Sequence, residues 1–147
     1  MKNLVASVIL FLVVSANLQA QKSAVFIADG EAIRGYDAVA FFKESKPVIG
    51  DKKFAYTWNS AEWLFANQED LEMFKASPEK YAPQFGGYCA YGTSAGHKAP
   101  TQTDTWTVLN DKLYFNYNLK VQEMWKKDQA NLIQKANKNW EEIKDKE

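Results

Sequence analysis

The chain reads as an α+β fold, a small antiparallel sheet built of hairpins and covered by a short helix and by C-terminal helices. Three observations carry this expectation. Two pairs of strand-type runs are each joined by two turn formers, Asn59-Ser60 and Asn110-Asp111. A helix-capping asparagine, Asn67, opens a segment that Pro78 closes. From Asn118 onward apolar residues recur at three- and four-residue steps.

In chain order, the first segment is a leader. Lys2 provides a short basic start, residues 4–14 are apolar apart from Ser7, and Leu18-Gln19-Ala20 ends in the small residue that a signal peptidase needs. Residues 1–20 are therefore expected to be a cleaved signal peptide, with a mature chain from Gln21. An uncleaved anchor is the weaker reading, because about eleven apolar residues fall short of the roughly 20 a spanning helix requires. The expected location is periplasmic or extracellular, with no stable membrane insertion after cleavage. No cysteine near the cleavage point offers a thiol for a lipid anchor.

Residues 21–147 suffice for a single domain with its own core. Without Lys2 the mature chain has 17 basic and 18 acidic residues, a balance that gives no electrostatic reason to expect nucleic acid as a partner. An exported small domain often relies on disulfides, but one cysteine cannot form an internal one. Of the chain's 21 aromatic residues, the 20 that follow Phe11 must supply much of the burial instead.

Within the domain, Asp37 is placed to cap a short helix whose apolar side is Ala38, Phe41 and Phe42. Residues 53–58 alternate as a strand with Phe54, Tyr56 and Trp58 on one side, and residues 63–66 return after the Asn59-Ser60 turn. Asn67 then caps a helix over residues 68–76, with Asp70 at the reciprocal capping position and Leu71 and Phe74 on one face. Residues 106–109 and 112–115 form the second hairpin. Thr103-Asp104-Thr105 reads as turn chemistry before it. Val121, Met124, Trp125, Leu132, Ile133, Ala136, Trp140 and Ile143 make the C-terminal amphipathic stripe, expected to cover the sheet.

The chemistry concentrates on the one cysteine, Cys89, behind Gly86-Gly87 and between Tyr88 and Tyr91. A thiol in that setting is packing filler, a metal ligand or redox group, or a nucleophile. Gly86 and Gly87 would let the backbone turn its N–H groups toward the sulfur, lowering the thiol pKa. His97, the one histidine, flanked by Gly96 and Lys98, is either a solvated loop residue or a second ligand beside Cys89 for copper or zinc. Tyr36 and Asp37 would orient the thiol or cap the short helix. Tyr88, Tyr91, Tyr114 and Tyr117 would line a small pocket or form aromatic core. No HExxH, phosphate-cradling glycine loop, CxxC or helically spaced carboxylate pair is present, so catalysis has no positive motif.

The run Trp63-Leu64-Phe65-Ala66-Asn67-Gln68-Glu69-Asp70-Leu71-Glu72-Met73-Phe74, with Pro78-Glu79-Lys80-Tyr81 after it, resembles the YHS domain family. Gly35-Tyr36-Asp37-Ala38-Val39-Ala40-Phe41-Phe42, the Gly86-Gly87-Tyr88-Cys89-Ala90-Tyr91 loop and Leu113-Tyr114-Phe115-Asn116-Tyr117-Asn118 are similar to its exported, single-domain branch, so the likeness covers nearly all of residues 33–143. In metal-binding relatives two cysteines follow the aromatic strand, and the matching positions here are Ala66 and Asp70, which removes that thiolate pair. The resemblance implies instead a role for Cys89, because relatives sometimes hold selenocysteine at that loop position. Together these readings describe a metal-associated or thiol-redox accessory protein. The alternatives are a binding or structural module with a packed cysteine, and a thiol-dependent enzyme. The implied cofactor is a copper or zinc ion, and the implied partner is that metal ion or another exported protein.

Overall fold

The structure is a computed structural model that describes residues 23–146. The expected signal peptide and cleavage point lie outside the described residues. Strands β1 (Ile27–Ala28) and β2 (Glu31–Ala32) lead through a 3-10 turn to the one-turn helix α1 (Ala40–Lys43). The hairpin β3 (Asp51–Trp58) and β4 (Ala61–Phe65) is followed by α2 (Gln68–Ala76) and α3 (Pro78–Tyr81). A second 3-10 turn, Gln84–Gly87, precedes α4 (Ala90–Ser94), the hairpin β5 (Gln102–Leu109) and β6 (Lys112–Asn116), and helices α5 (Leu119–Lys126) and α6 (Gln129–Ile143).

The α+β class holds, and the local signals behind it act as expected. Asn59 and Ser60 have φ of 49° and 58°, and Asn110 and Asp111 have 51° and 58°. Two consecutive left-handed residues give the twist that a two-residue hairpin needs, and asparagine tolerates this better than most residues. Along β3, Phe54, Tyr56 and Trp58 are half-buried while Lys53, Ala55 and Thr57 are exposed. Asn67 Oδ1 accepts from Asp70 N at 2.8 Å to start α2, and Asp37 Oδ1 accepts from Val39 N (2.8 Å) and Ala40 N (3.1 Å) to start α1.

Three features differ from the expectation. The strands form two sheets, one ordered β1-β2-β4-β3 and the other the separate β5-β6 hairpin. In the first sheet β2 lies parallel to β4 through Glu31 and Glu62, a long-range pairing that no local turn encodes. Thr103, Asp104 and Thr105 belong to β5 itself rather than to a preceding turn.

The core has two parts. Phe41, Trp63, Phe65, Phe74 and Phe115 are at most 1% exposed and fill the larger one, between the two sheets and α2. Phe74 is central, with the rings of Trp63 and Phe65 both 5.0 Å away. The smaller part joins Phe85, Ala90, Tyr114, Trp125 and Ala136. Helix α5 packs on the second hairpin, whereas α6 packs chiefly against α4 and the Gln84–Gly87 turn. The C-terminal stripe thus covers the cysteine loop more than the sheet. Its inner positions on α5 are Gln122 and Trp125, and Met124 is 41% exposed.

Candidate functional site

Cys89 is the N-cap residue of α4, a consequence of the turn that precedes it. Phe85, Gly86 and Gly87 all have positive φ, which brings the chain round tightly before Tyr88. The thiol is 1% exposed but does not sit in hydrocarbon. Its Sγ accepts from Tyr117 N at 3.2 Å and Gly92 N at 3.4 Å, and lies 3.6 Å from Asn116 Oδ1, to which it donates. Asn116 is itself fully buried, its Oδ1 also accepts from Tyr91 N at 3.2 Å, and its Nδ2 has no hydrogen-bond partner among the described residues.

Two opposed effects set the acidity of this thiol. Burial pushes its pKa up by penalising the anion, and the N–H groups of Gly92, Tyr117 and Tyr91 pull it down. Burial is the larger, so the pKa is raised. The hydrogen bond to Asn116 Oδ1 acts in the same direction, since it requires the proton to be present. The resting group is a neutral thiol.

The donors are not those anticipated. The Gly86 and Gly87 carbonyls accept, from Phe26 N (2.8 Å) and from Thr101 Oγ1 (2.7 Å), and the N–H groups that reach the sulfur come from Gly92 and Tyr117. The role of Gly86 is steric, because a Cβ there would overlap the Ala24 carbonyl oxygen. His97 is exposed and lies across Gly92 from the thiol. A Cβ on Gly92 would sit 3.3 Å from His97 Nε2, while Gly92 N faces Cys89 Sγ.

The tyrosines do not converge on one pocket. Tyr88 turns away from the thiol, donating from its hydroxyl to Ser23 O at 2.7 Å and packing on Phe26 and Trp140. Tyr91 is half-buried, Tyr114 stacks on Trp125 at 5.5 Å, and Tyr117 is 50% exposed. Tyr36 pairs with Ile49 and packs against the larger core. Asp37 serves α1, as one of its two anticipated roles requires, and its other oxygen accepts from Ala66 N at 2.8 Å.

Sequence reasoning missed a second polar constellation, at Asp37. Asp70, 2% exposed, places its carboxyl beside that of Asp37, 0% exposed, and Lys43 Nζ donates to Asp70 Oδ1 at 2.7 Å. Burial is the main cause that raises the Asp37 pKa to about 6; the Ala66 N–H opposes it, and the neighbouring Asp70 adds to it. The one sequence signal was that Asp70 and Phe74, four apart on α2, share a face.

Among the described residues no group of three or more His, Cys, Asp and Glu side chains is arranged to hold a metal ion. No described helix is long and apolar enough to cross a membrane. Comparison with family models, curated proteins and solved structures finds no match to this chain.

Proposed function

We propose that the protein is an exported thiol-redox accessory protein of YHS type, working through Cys89. The observation that carries this reading is the polar enclosure of the sulfur. A cysteine kept only as a small hydrophobe packs against hydrocarbon. This one is met by two backbone N–H groups and a buried amide, and that amide retains an unpartnered N–H on the same side chain. Such an enclosure tolerates a sulfur that changes charge or gains a polar oxygen. Oxidation by a peroxide would convert the thiol to a sulfenic acid and release water or an alcohol, the two electrons passing from sulfur to the O–O bond.

The second reading, a binding module with a structural cysteine, is favoured by the raised pKa and by the fit of the sulfur as the α4 cap. Capture of copper or zinc by Cys89 and His97 is the metal form of the first reading.

Alkylation of the native protein separates them. The redox reading expects slow labelling by iodoacetamide, with a midpoint above the ordinary thiol value of about 8.5. It also expects labelling to be blocked by brief hydrogen peroxide treatment and restored by dithiothreitol. Protection by one equivalent of Cu(I) or Zn(II), absent in His97→Ala, would select the metal form. A thiol that labels only after denaturation would leave the structural reading.

A further inference from the structure

We propose that the cleft between the β3–β4 turn, the Gln84–Gly87 turn and helix α6 binds an uncharged, hydroxyl-rich ring compound, a mono- or disaccharide. The inference is independent of Cys89. The cleft encloses about 550 Å³, within the roughly 300–1,000 Å³ of small-molecule sites. Its walls come from well-separated parts of the chain, Ala24-Val25, Trp58-Asn59, residues 82–86 and α6.

Aromatic surface is held rigidly there. Trp58 packs edge-on against Trp63 and Phe74, each at 5.8 Å, and Trp140 packs on Phe85 at 6.1 Å and Tyr88 at 6.2 Å. Both indoles are half-buried and line the cleft. The floor is set by Gly86, whose lack of a side chain lets Ala24 approach. A site whose walls are fixed before binding loses little entropy on occupation.

The polar lining selects the ligand class. Asn59, Gln84 and Asn137 line the cleft, Asn59 and Asn137 exposed to solvent and Gln84 half-buried. An amide donates and accepts at once, which matches a hydroxyl that does the same. The charges on the walls cancel, Glu79 and Glu141 against Lys112 and Lys144, with Lys144 Nζ already 2.7 Å from Glu141. An anion would face two carboxylates and a cation two ammonium groups. A purely apolar ligand would strip water from three amides and give them no partner. A sugar ring presents C–H faces to the indoles and hydroxyls to the amides, and so satisfies both kinds of wall.

The test follows the indole N–H signals of the isotope-labelled protein by NMR while maltose, cellobiose or diacetylchitobiose is added to about 20 mM, a range that detects affinities in the millimolar class. The expected result is a saturable movement of the Trp58 and Trp140 signals with at least one of the three, the Trp106 and Trp125 signals staying in place. Asn137→Ala, an exposed position that leaves the fold intact, should weaken that binding about fivefold. No movement with any of the three sugars overturns the proposal. So does movement that Asn137→Ala and Gln84→Ala both leave unchanged in affinity, or movement that only benzenesulfonate, a flat aromatic anion, produces.

Discussion

The carboxyl of Asp70 lies against that of Asp37, and the N–H of Ala66 reaches the same Asp37 group at 2.8 Å. One buried carboxyl thus ties the start of α1 to the end of β4 and the first turn of α2. Lys43 Nζ ion-pairs with Asp70 Oδ1 at 2.7 Å and with Glu69 Oε1 at 3.2 Å. With two acids and one partnered base, one proton is retained more easily than in water, and Asp37 carries it.

This arrangement makes stability depend on pH in a defined direction. The folded-state pKa of Asp37, about 6, lies above the ordinary 3.8, so the folded chain binds the proton more tightly than the unfolded chain. The stability contributed by neutral Asp37 is complete below the unfolded value and is lost as pH rises through about 6. Asp70→Asn removes a neighbouring charge but not the burial, which is the larger cause, so it should lower the Asp37 pKa without restoring the ordinary value. Urea unfolding at several pH values between about 4 and 7 should show a shallower loss of stability in the variant than in the parent chain. Parallel profiles would show that the two carboxyls do not share a proton.

Replacing Cys89 separates the sulfur as an acceptor from the sulfur as a reagent. Cys89→Ala leaves the N–H groups of Gly92 and Tyr117 without their partner in a buried site, which should cost about 1–3 kcal/mol. A serine hydroxyl buried without a hydrogen-bond partner would be costly. The enclosure provides one, and serine is a preferred N-cap residue, so Cys89→Ser should cost less than about 1 kcal/mol. Chemical denaturation of both variants checks the order, and a serine variant less stable than the alanine one would contradict it.

Gly86 and Gly96 form a matched pair for testing the approach of the N-terminal segment. Both have positive φ, 61° and 90°, but a Cβ on Gly86 would overlap the Ala24 carbonyl, whereas one on Gly96 meets nothing within 4 Å. Gly96→Ala should cost only the left-handed strain, about 1–2 kcal/mol. Gly86→Ala should cost more, since it must also displace Ala24 and break the Phe26 N–H bond to Gly86 O. Thermal midpoints of the two variants check this, and equal losses would mean that Ala24 moves aside freely.

What was legible in the sequence was what neighbouring residues decide among themselves. Asn67 as a cap, Asn59-Ser60 and Asn110-Asp111 as hairpin turns, and the alternation of Phe54, Tyr56 and Trp58 each depend on a few consecutive residues. What escaped was set by distant partners. The β2–β4 pair, the Tyr117 N–H on the thiol and the Asp37–Asp70 contact each join segments far apart in the chain. Gly86 and Gly87 stand out in the sequence, but an N–H aimed at the sulfur and a surface left bare for Ala24 look alike there. The cleft was invisible for the same reason, its walls meeting only once α6 has folded back over the cysteine loop.

The YHS resemblance places metal-binding cysteines at the positions that Ala66 and Asp70 occupy in this chain. Ala66 and Asp70 both adjoin Asp37, one through its backbone N–H and the other through its carboxyl. Two thiolates there, with Asp37 as a harder third ligand, would suit Zn(II), whose sites mix sulfur and oxygen donors. The double variant Ala66→Cys with Asp70→Cys should therefore acquire thiol-dependent zinc binding, measurable by competition with a chromophoric chelator and abolished by Cys-blocking reagents. In the parent chain Asp70 is held by Lys43 and lies against Asp37, so Asp70→Ala should change any metal affinity by less than about threefold, or ~0.7 kcal/mol. A tenfold loss on Asp70→Ala would show that the carboxylates already act as a metal site, and would count against the proposal centred on Cys89.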